Sequence, residues 1–300
     1  MEEYQRVRDE FPDKPEAREA LDRLTLLHRL RLAPAAGRPI LYRLDSEFPG
    51  SLEALGLRSV VALAIGPAGG LLVADDKQGI ARQVDPAGRV SEKIVFAQPM
   101  AAAVNRSGAP VLIGGGNVLV GTRLQPLTRP DGSTSRPIKD VSGVAVDQDG
   151  RLVVGDPRTG EVLIYGRGLE FKGPVLRTST GRLGEIRAGP DNQIYILDTR
   201  EKSVTIYAGG KPPLRVRLDE APASISAPAG LAVDSLGDLY LCDPSAGRVV
   251  VLDPSGKRVL ANIQSDRTKG GLAAPERLEV DGQGRIYVYD RKSGAILRFR

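Results

Sequence analysis

Three hundred residues, 41% of them hydrophobic and 26% charged, are ample for a sizeable core and ordinary for a soluble globular chain. The sequence holds no run of about 18 apolar residues, which excludes a membrane-spanning helix, and a net charge of +5 favours anionic partners only weakly. One cysteine (Cys242) precludes an internal disulfide, and one histidine (His28) precludes a zinc or iron site of several His or Cys ligands within the chain.

The first residues, MEEYQRVRDEFPDK, are charged and lack an apolar stretch, so they do not read as a signal peptide. Residues 1–36 form a helical segment of two stretches separated by FPDKP. In the second, Ala17, Ala20, Leu21, Leu24, Leu27 and Leu30 lie near one face, with Asp13 as the expected cap and Pro15 in the first turn. The pattern Tyr4…Phe11-Pro12-Asp13…Pro15…Ala17…Ala20 is similar to helix pairs of tetratricopeptide repeats in bacterial envelope proteins. One such pair cannot bury both faces alone. It either docks on the following domain or is the stub of a longer array, and the stub is the expectation. His28 reads as an ordinary helical residue.

From residue 37 to 300 the chain is expected to be all-β. PILYRLD (39–45) reads as a lone strand, followed by six registers of one unit. The clearest are GVAVDQDGRLVVGDPRTGEVLIY (143–165), GLAVDSLGDLYLCDPSAGRVVVLD (230–253) and RLEVDGQGRIYVYDRKSGAILRF (277–299). ALAIGPAGGLLVADDKQGIARQVD (62–85) and EIRAGPDNQIYILDTREKSVTIY (185–207) follow with Gly in place of the first Asp, and AAAVNRSGAPVLIGGGNVLV (101–120) is the most degraded. The landmarks Asp75, Gly114, Asp156, Asp198, Asp243 and Asp290 are separated by 39, 42, 42, 45 and 47 residues, a repeat architecture. Each unit has three apolar runs joined by Gly-rich turns and a weaker fourth, which predicts a six-bladed β-propeller of four-stranded antiparallel blades. The last unit ends after its third run, so the strand at 39–45 is expected to complete it and remove the open sheet edge.

The unit resembles the NHL repeat, whose pattern runs Pro-x-Gly-Ile-Ala-Val-Asp, then Gly-Asn-Ile-Tyr-Val-Ala-Asp, then Asn-x-Arg-Ile. Pro228 and Gly230 match it, whereas Gly79, Gly160, Gly247 and Gly294 mostly replace the last element. The resemblance covers residues 58–300 and implies the propeller; such propellers include ligases, lyases and plain binding scaffolds.

Two sets of residues stand out. At the start of the first strand the six units carry Ala62, Ala101, Gly143, Glu185, Gly230 and Arg277; two residues on they carry Ala64, Ala103, Ala145, Arg187, Ala232 and Glu279. Positions i and i+2 share a strand face, so Glu185 with Arg187 and Arg277 with Glu279 form a charged axial cluster able to cross-pair around the fifth blade. It reads as a space-filling ion-pair network, a polar ligand site or a pair of catalytic carboxylates, and its charge balance argues against calcium. The second set is the basic residues of the turns between second and third strands: Lys77, Arg158, Arg200, Lys202, Arg248, Arg291 and Lys292. The connections between blades add Arg136, Lys139, Arg182, Arg267 and Lys269 on the same face.

Those turns contain no aromatic residue, which argues against RNA. DQDG (147–150) aligns with plain turns and lacks the downstream acid of a calcium loop. Cys242 sits mid-strand as packing. The expected function is a non-enzymatic scaffold that binds a protein or an anionic envelope polymer through the basic turn face, with no cofactor or metal. The compartment is left between bacterial envelope and cytoplasm. The alternative is a propeller lyase or hydrolase with an axial site at Glu185 and Glu279.

Overall fold

The computed structural model describes residues 2–10, 14–32, 42–91, 93–178, 183–220, 222–264 and 271–300. Six antiparallel sheets follow one another in the chain, five with four strands and the last with three. Their innermost strands are Ala62–Ile65, Ala101–Val104, Val144–Val146, Leu183–Ala188, Leu231–Val233 and Pro275–Val280. Each touches the next, and the sixth touches the first, so the strands form a closed ring. This is the six-bladed β-propeller. Each strand pairs with its sequence neighbour, because Gly-rich turns such as those at Gly150, Gly237 and Gly284 adopt the positive φ that tight hairpins need.

The core lies between blades. Among the described residues six hydrophobic clusters occur, each shared by two neighbouring sheets around the ring. The repeated Asp at the end of the second strand serves this architecture. Asp290 accepts the backbone N–H groups of Ala273 and Ala274 at 2.6 and 2.7 Å and those of Lys292 and Ser293 at 3.0 Å, tying its own turn to the incoming connection. Asp75 does the same with Arg58, Ser59 and Gln78. Burial opposes its ionisation, but the hydrogen bonds from Ser59, Arg58 and Gln78 outweigh burial and hold the carboxyl at about 2.

The second blade departs from the repeat for a steric reason. A Cβ at Gly114 would lie 1.9 Å from the Gln98 carbonyl oxygen, so the passing backbone occupies the space used elsewhere by the Asp side chain. An unexpected hairpin, Thr128–Asp131 with Thr134–Pro137, follows this blade. It is tied down by Arg129, whose guanidinium lies 2.7 Å from Glu161 and 3.4 Å from Asp156.

The three-stranded sheet is extended at its outer edge. Arg43 and Arg300 exchange backbone hydrogen bonds of 2.9 and 3.0 Å, and Asp45 N–H donates to Arg298 C=O at 2.8 Å. The Arg298 guanidinium pairs with the buried Asp45 carboxylate at 2.6 Å. Residues 39–41 of the strand expected there lie outside the described residues.

The N-terminal helices dock on the propeller. Helix α1 (Glu2–Glu10) and helix α2 (Pro15–Leu27) pack on each other, and α2 continues as a wider turn through Leu32. Lys14 rather than Asp13 is the N-cap, without a side-chain bond; Asp13 lies outside the described residues. The helix docks on the first turns of blades five and six. Leu26 and Leu30 are buried, Arg29 donates to Gly284 C=O at 3.0 Å, and Arg31 pairs with Asp238. Of the face expected, Ala17, Ala20 and Leu30 are buried, whereas Leu21 is 48% exposed and Leu26, outside that set, is fully buried. No helix among the described residues is long and apolar enough to cross a membrane.

Candidate functional site

On an innermost strand only one backbone edge is paired within the sheet. The other faces the ring centre and leaves N–H and C=O groups needing partners. In blades one, two, three and five the side chains at both inner positions are Ala or Gly, because neighbouring strands approach closely. A Cβ at Gly143 would lie 2.7 Å from Ile186 N, and one at Gly230 would lie 2.8 Å from the Glu276 carbonyl oxygen. Charged side chains therefore enter only from blades four and six, and they converge over the small fifth blade.

The resulting quartet is a chain of contacts. Arg277 Nε lies 3.4 Å from Glu185 Oε1, Glu185 Oε2 lies 3.2 Å from Arg187 Nη2, and that same nitrogen lies 3.0 Å from Glu279 Oε1. Two further bonds anchor it to the inner edge. Glu185 Oε2 accepts the Leu231 N–H of blade five at 2.7 Å, and Arg277 Nε donates to Val61 C=O of blade one at 3.1 Å. The sequence placed all four residues together; the two backbone partners leave no sequence signal.

Three side chains of the quartet are almost fully enclosed, with exposures of 11% for Glu185, 13% for Arg187 and 9% for Glu279, whereas Arg277 keeps 26%. Burial pushes the Glu279 carboxyl up to about 7; Arg187 opposes this shift and Glu185 adds to it. For Arg187, burial disfavours the charge, but the carboxylates of Glu185 and Glu279 more than restore it and raise its pKa. Its Nε is buried without a hydrogen-bond partner among the described residues. Glu279 can thus take up or release a proton near neutrality beside a permanent cation.

Cys242 lies beneath Gly230 and is buried. Burial first, then the Glu185 charge, pushes its thiol far up, so it stays protonated and serves as packing. Among the described residues no group of three His, Cys, Asp or Glu side chains could hold a metal ion. His28 is exposed in the N-terminal segment.

The basic turn residues do not form a comparable assembly. Lys77, Arg158, Arg200, Arg291 and Lys292 are exposed and Lys202 is half-buried. Arg291 leans toward Glu276 at 3.6 Å. Arg248 is a structural clamp: it pairs with Asp243 at 3.0 Å and donates to Ala223 C=O and Ser224 C=O. Of the basic residues expected on the connections, Arg136 and Lys139 are described, whereas Arg182, Arg267 and Lys269 lie outside the described residues.

No protein-family model matches the chain, and no curated protein matches its sequence. Solved structures do match its fold. A catalytically inactive virginiamycin B lyase from Staphylococcus aureus, solved with quinupristin, superposes with a TM-score of 0.59 at 11% identity, covering 86% of this chain and 84% of that one. A putative gluconolactonase reaches 0.62 at 15% identity, over 87% and 97% of the two chains. An auxiliary nutrient binding protein from Bacteroides ovatus reaches 0.61 at 14% identity, over 81% and 69%. These likenesses establish the propeller fold. The expectation of a non-enzymatic scaffold acting through the basic turn face is corrected by them. Solved propellers of this shape include a lyase and a putative gluconolactonase, and the four-residue charged assembly lies on the inner ring, whereas the turn cations pair singly or stand exposed.

Proposed function

We propose that the chain is an enzyme of the lyase or hydrolase class whose inner-ring quartet performs acid–base chemistry on a small polar substrate. The supporting observation is the Glu279 carboxyl, enclosed, bonded to Arg187 at 3.0 Å and poised at about 7. In this reading Glu279 exchanges the proton. Arg187, with its unpartnered Nε, stabilises developing negative charge, and Glu185 and Arg277 are positioning residues that fix Arg187 against the edges of blades five and one. The same proposal takes the repeat as a divergent NHL-type unit and α1–α2 as a tetratricopeptide-like pair.

The test is turnover of a panel of small lactones, esters and cyclic depsipeptides by the full chain and by Glu279→Gln. Turnover with an apparent pKa near 7, lost in Glu279→Gln while the fold is kept, supports the reading. Absence of turnover across the panel, or equal turnover by the variant, overturns it.

A further inference from the structure

The register opposite the inner ring separates the blades into two kinds. The second-strand residue paired with the lower ring position is Leu72 opposite Ala64, Val111 opposite Ala103 and Val153 opposite Ala145. In the other three blades it is Tyr195 opposite Arg187, Tyr240 opposite Ala232 and Tyr287 opposite Glu279. Each of these side chains packs toward the next blade around the ring. Tyr240 lies among Leu278, Val280 and Ile286 of blade six, and Val111 lies among Val144, Leu152 and Val154 of blade three. Where the residue is tyrosine, its ring is buried and fills the space between blades. The phenol oxygens of Tyr240 and Tyr195 end near the first turn, donating to Asp234 at 3.0 Å and Gln193 at 2.7 Å.

Valine also stands in that column at Val153, but it is behind Val111, between blades two and three, that the space is open. A pocket of about 360 Å³ lies there, floored by Val111, Val146, Leu152 and Leu169 and rimmed by Arg106 and Arg167. Its volume falls within the range of small-ligand sites, ~300–1,000 Å³. Arg106 is exposed and has no acidic partner among the described residues. Arg167 is held over the Gly150 turn by its Nε bond to Asp149 C=O. Of the nearby acids, Asp149 pairs with Arg151 at 3.4 Å, and Glu170 pairs with Lys172 at 3.2 Å while accepting the Gly168 N–H at 3.1 Å beside Arg167. The mouth therefore presents two guanidinium groups over an apolar floor, and what Val111 lacks relative to the later blades is a ring with a polar end at the first turn, Tyr165 and Phe171 packing elsewhere in the same cluster.

We propose that this pocket binds a small aromatic anion. Its ring takes the place that the tyrosine ring fills between later blades, and its anionic group lies at the first turn between Arg106 and Arg167. The site is separate from the inner quartet, shares no residue with it and does not depend on the enzymatic reading.

Fluorescence titration with anilinonaphthalene sulfonate, and with its uncharged twin phenylnaphthylamine, tests this on the full chain. One saturable site is expected for the anion, with the neutral twin weaker by about tenfold or more, as charge complementarity requires. Val111→Tyr, which installs the sister-blade residue, should abolish binding with the thermal midpoint unchanged or raised. Arg106→Glu with Arg167→Glu should weaken it by at least about tenfold without touching the core. Glu279→Gln should bind as the parent does. Wild-type affinity in the charge-reversed variant, equal binding of the neutral twin, or non-saturating uptake overturns the proposal. So does retained binding in a folded Val111→Tyr. If Val111→Tyr does not fold, the charge-reversed variant decides.

Discussion

Blades one to three and blades four to six share one backbone plan and differ in what fills it. The first half-ring has Ala or Gly at every inner position and aliphatic residues behind them at Leu72, Val111 and Val153. The second half-ring has charges at the inner edge and buried tyrosines behind, at Tyr195, Tyr240 and Tyr287. It also carries the N-terminal helix, docked through Leu26, Leu30, Arg29 and Arg31. The plan needs only turns, alternation and the capping Asp that every unit but the second carries. Chemistry then sits where a unit departs from its sisters, as an added charge in one half and a missing ring in the other.

The largest expected effect breaks this comparison at one column. Tyr240→Ala should cost about 3–5 kcal/mol, since it removes a fully buried ring and takes the phenol donor from Asp234 Oδ2. Val111→Ala, at the same register in a half-ring already open on that side, should cost clearly less. Denaturant midpoints at constant slope measure both. Equal losses would mean the two half-rings are packed alike.

Arg187→Met should follow, at roughly 3 kcal/mol above neutral pH, because it leaves Glu185 and Glu279 facing each other without their shared cation. Adding Glu279→Gln to that variant should recover much of the loss. A double-mutant cycle over Arg187 and Glu279 measures the coupling, and additivity would show that the two do not interact.

Glu279 also gives the half-rings different pH responses. Its folded pKa of about 7 lies above its unfolded value, so the folded state holds the extra proton between them. Its contribution is fully present below the unfolded pKa and is lost as pH rises to about 7, up to roughly 3 kcal/mol across that window. Asp234 and Asp238 act in the same direction. Burial raises both, with the Asp238 charge adding at Asp234 and Arg31 opposing at Asp238. Glu279→Gln should therefore flatten the decline without removing it, and Asp234→Asn should flatten it further. Thermal midpoints between pH 4 and 8 show this; a curve unchanged by Glu279→Gln means that the carboxyl titrates normally.

The repeat period and the inner columns were legible because each depends on one residue type at a fixed spacing. Asp ends a strand at a turn, and small residues let strands meet. Glu185, Arg187, Arg277 and Glu279 showed as exceptions to a column of Ala and Gly. The tyrosine column was equally present in the sequence, but a tyrosine in a strand looks like ordinary packing until its register and neighbouring blade are known. The docking of α2 was not legible, since Arg31 and Asp238 lie 207 positions apart and carry no shared pattern. The basic turn residues show the limit of reading by column. Seven cations in aligned turns look equivalent in sequence, whereas their surroundings are not.

That inequality gives the smallest effects. Arg248→Ala should cost about 1–3 kcal/mol, because its guanidinium satisfies Asp243 together with the Ala223 and Ser224 carbonyls, and truncation leaves all three without it. Lys292→Ala and Arg158→Ala should stay within about 0.5 kcal/mol of the parent, as exposed positions do. Their structural role is carried by the backbone. The N–H groups of Lys292 and Arg158 donate to Asp290 and Asp156 at 3.0 Å whatever side chain follows. Chemical denaturation of the three variants side by side measures the difference. If Lys292→Ala costs as much as Arg248→Ala, the turn cations share a structural role, and the contrast between clamp and free side chain fails.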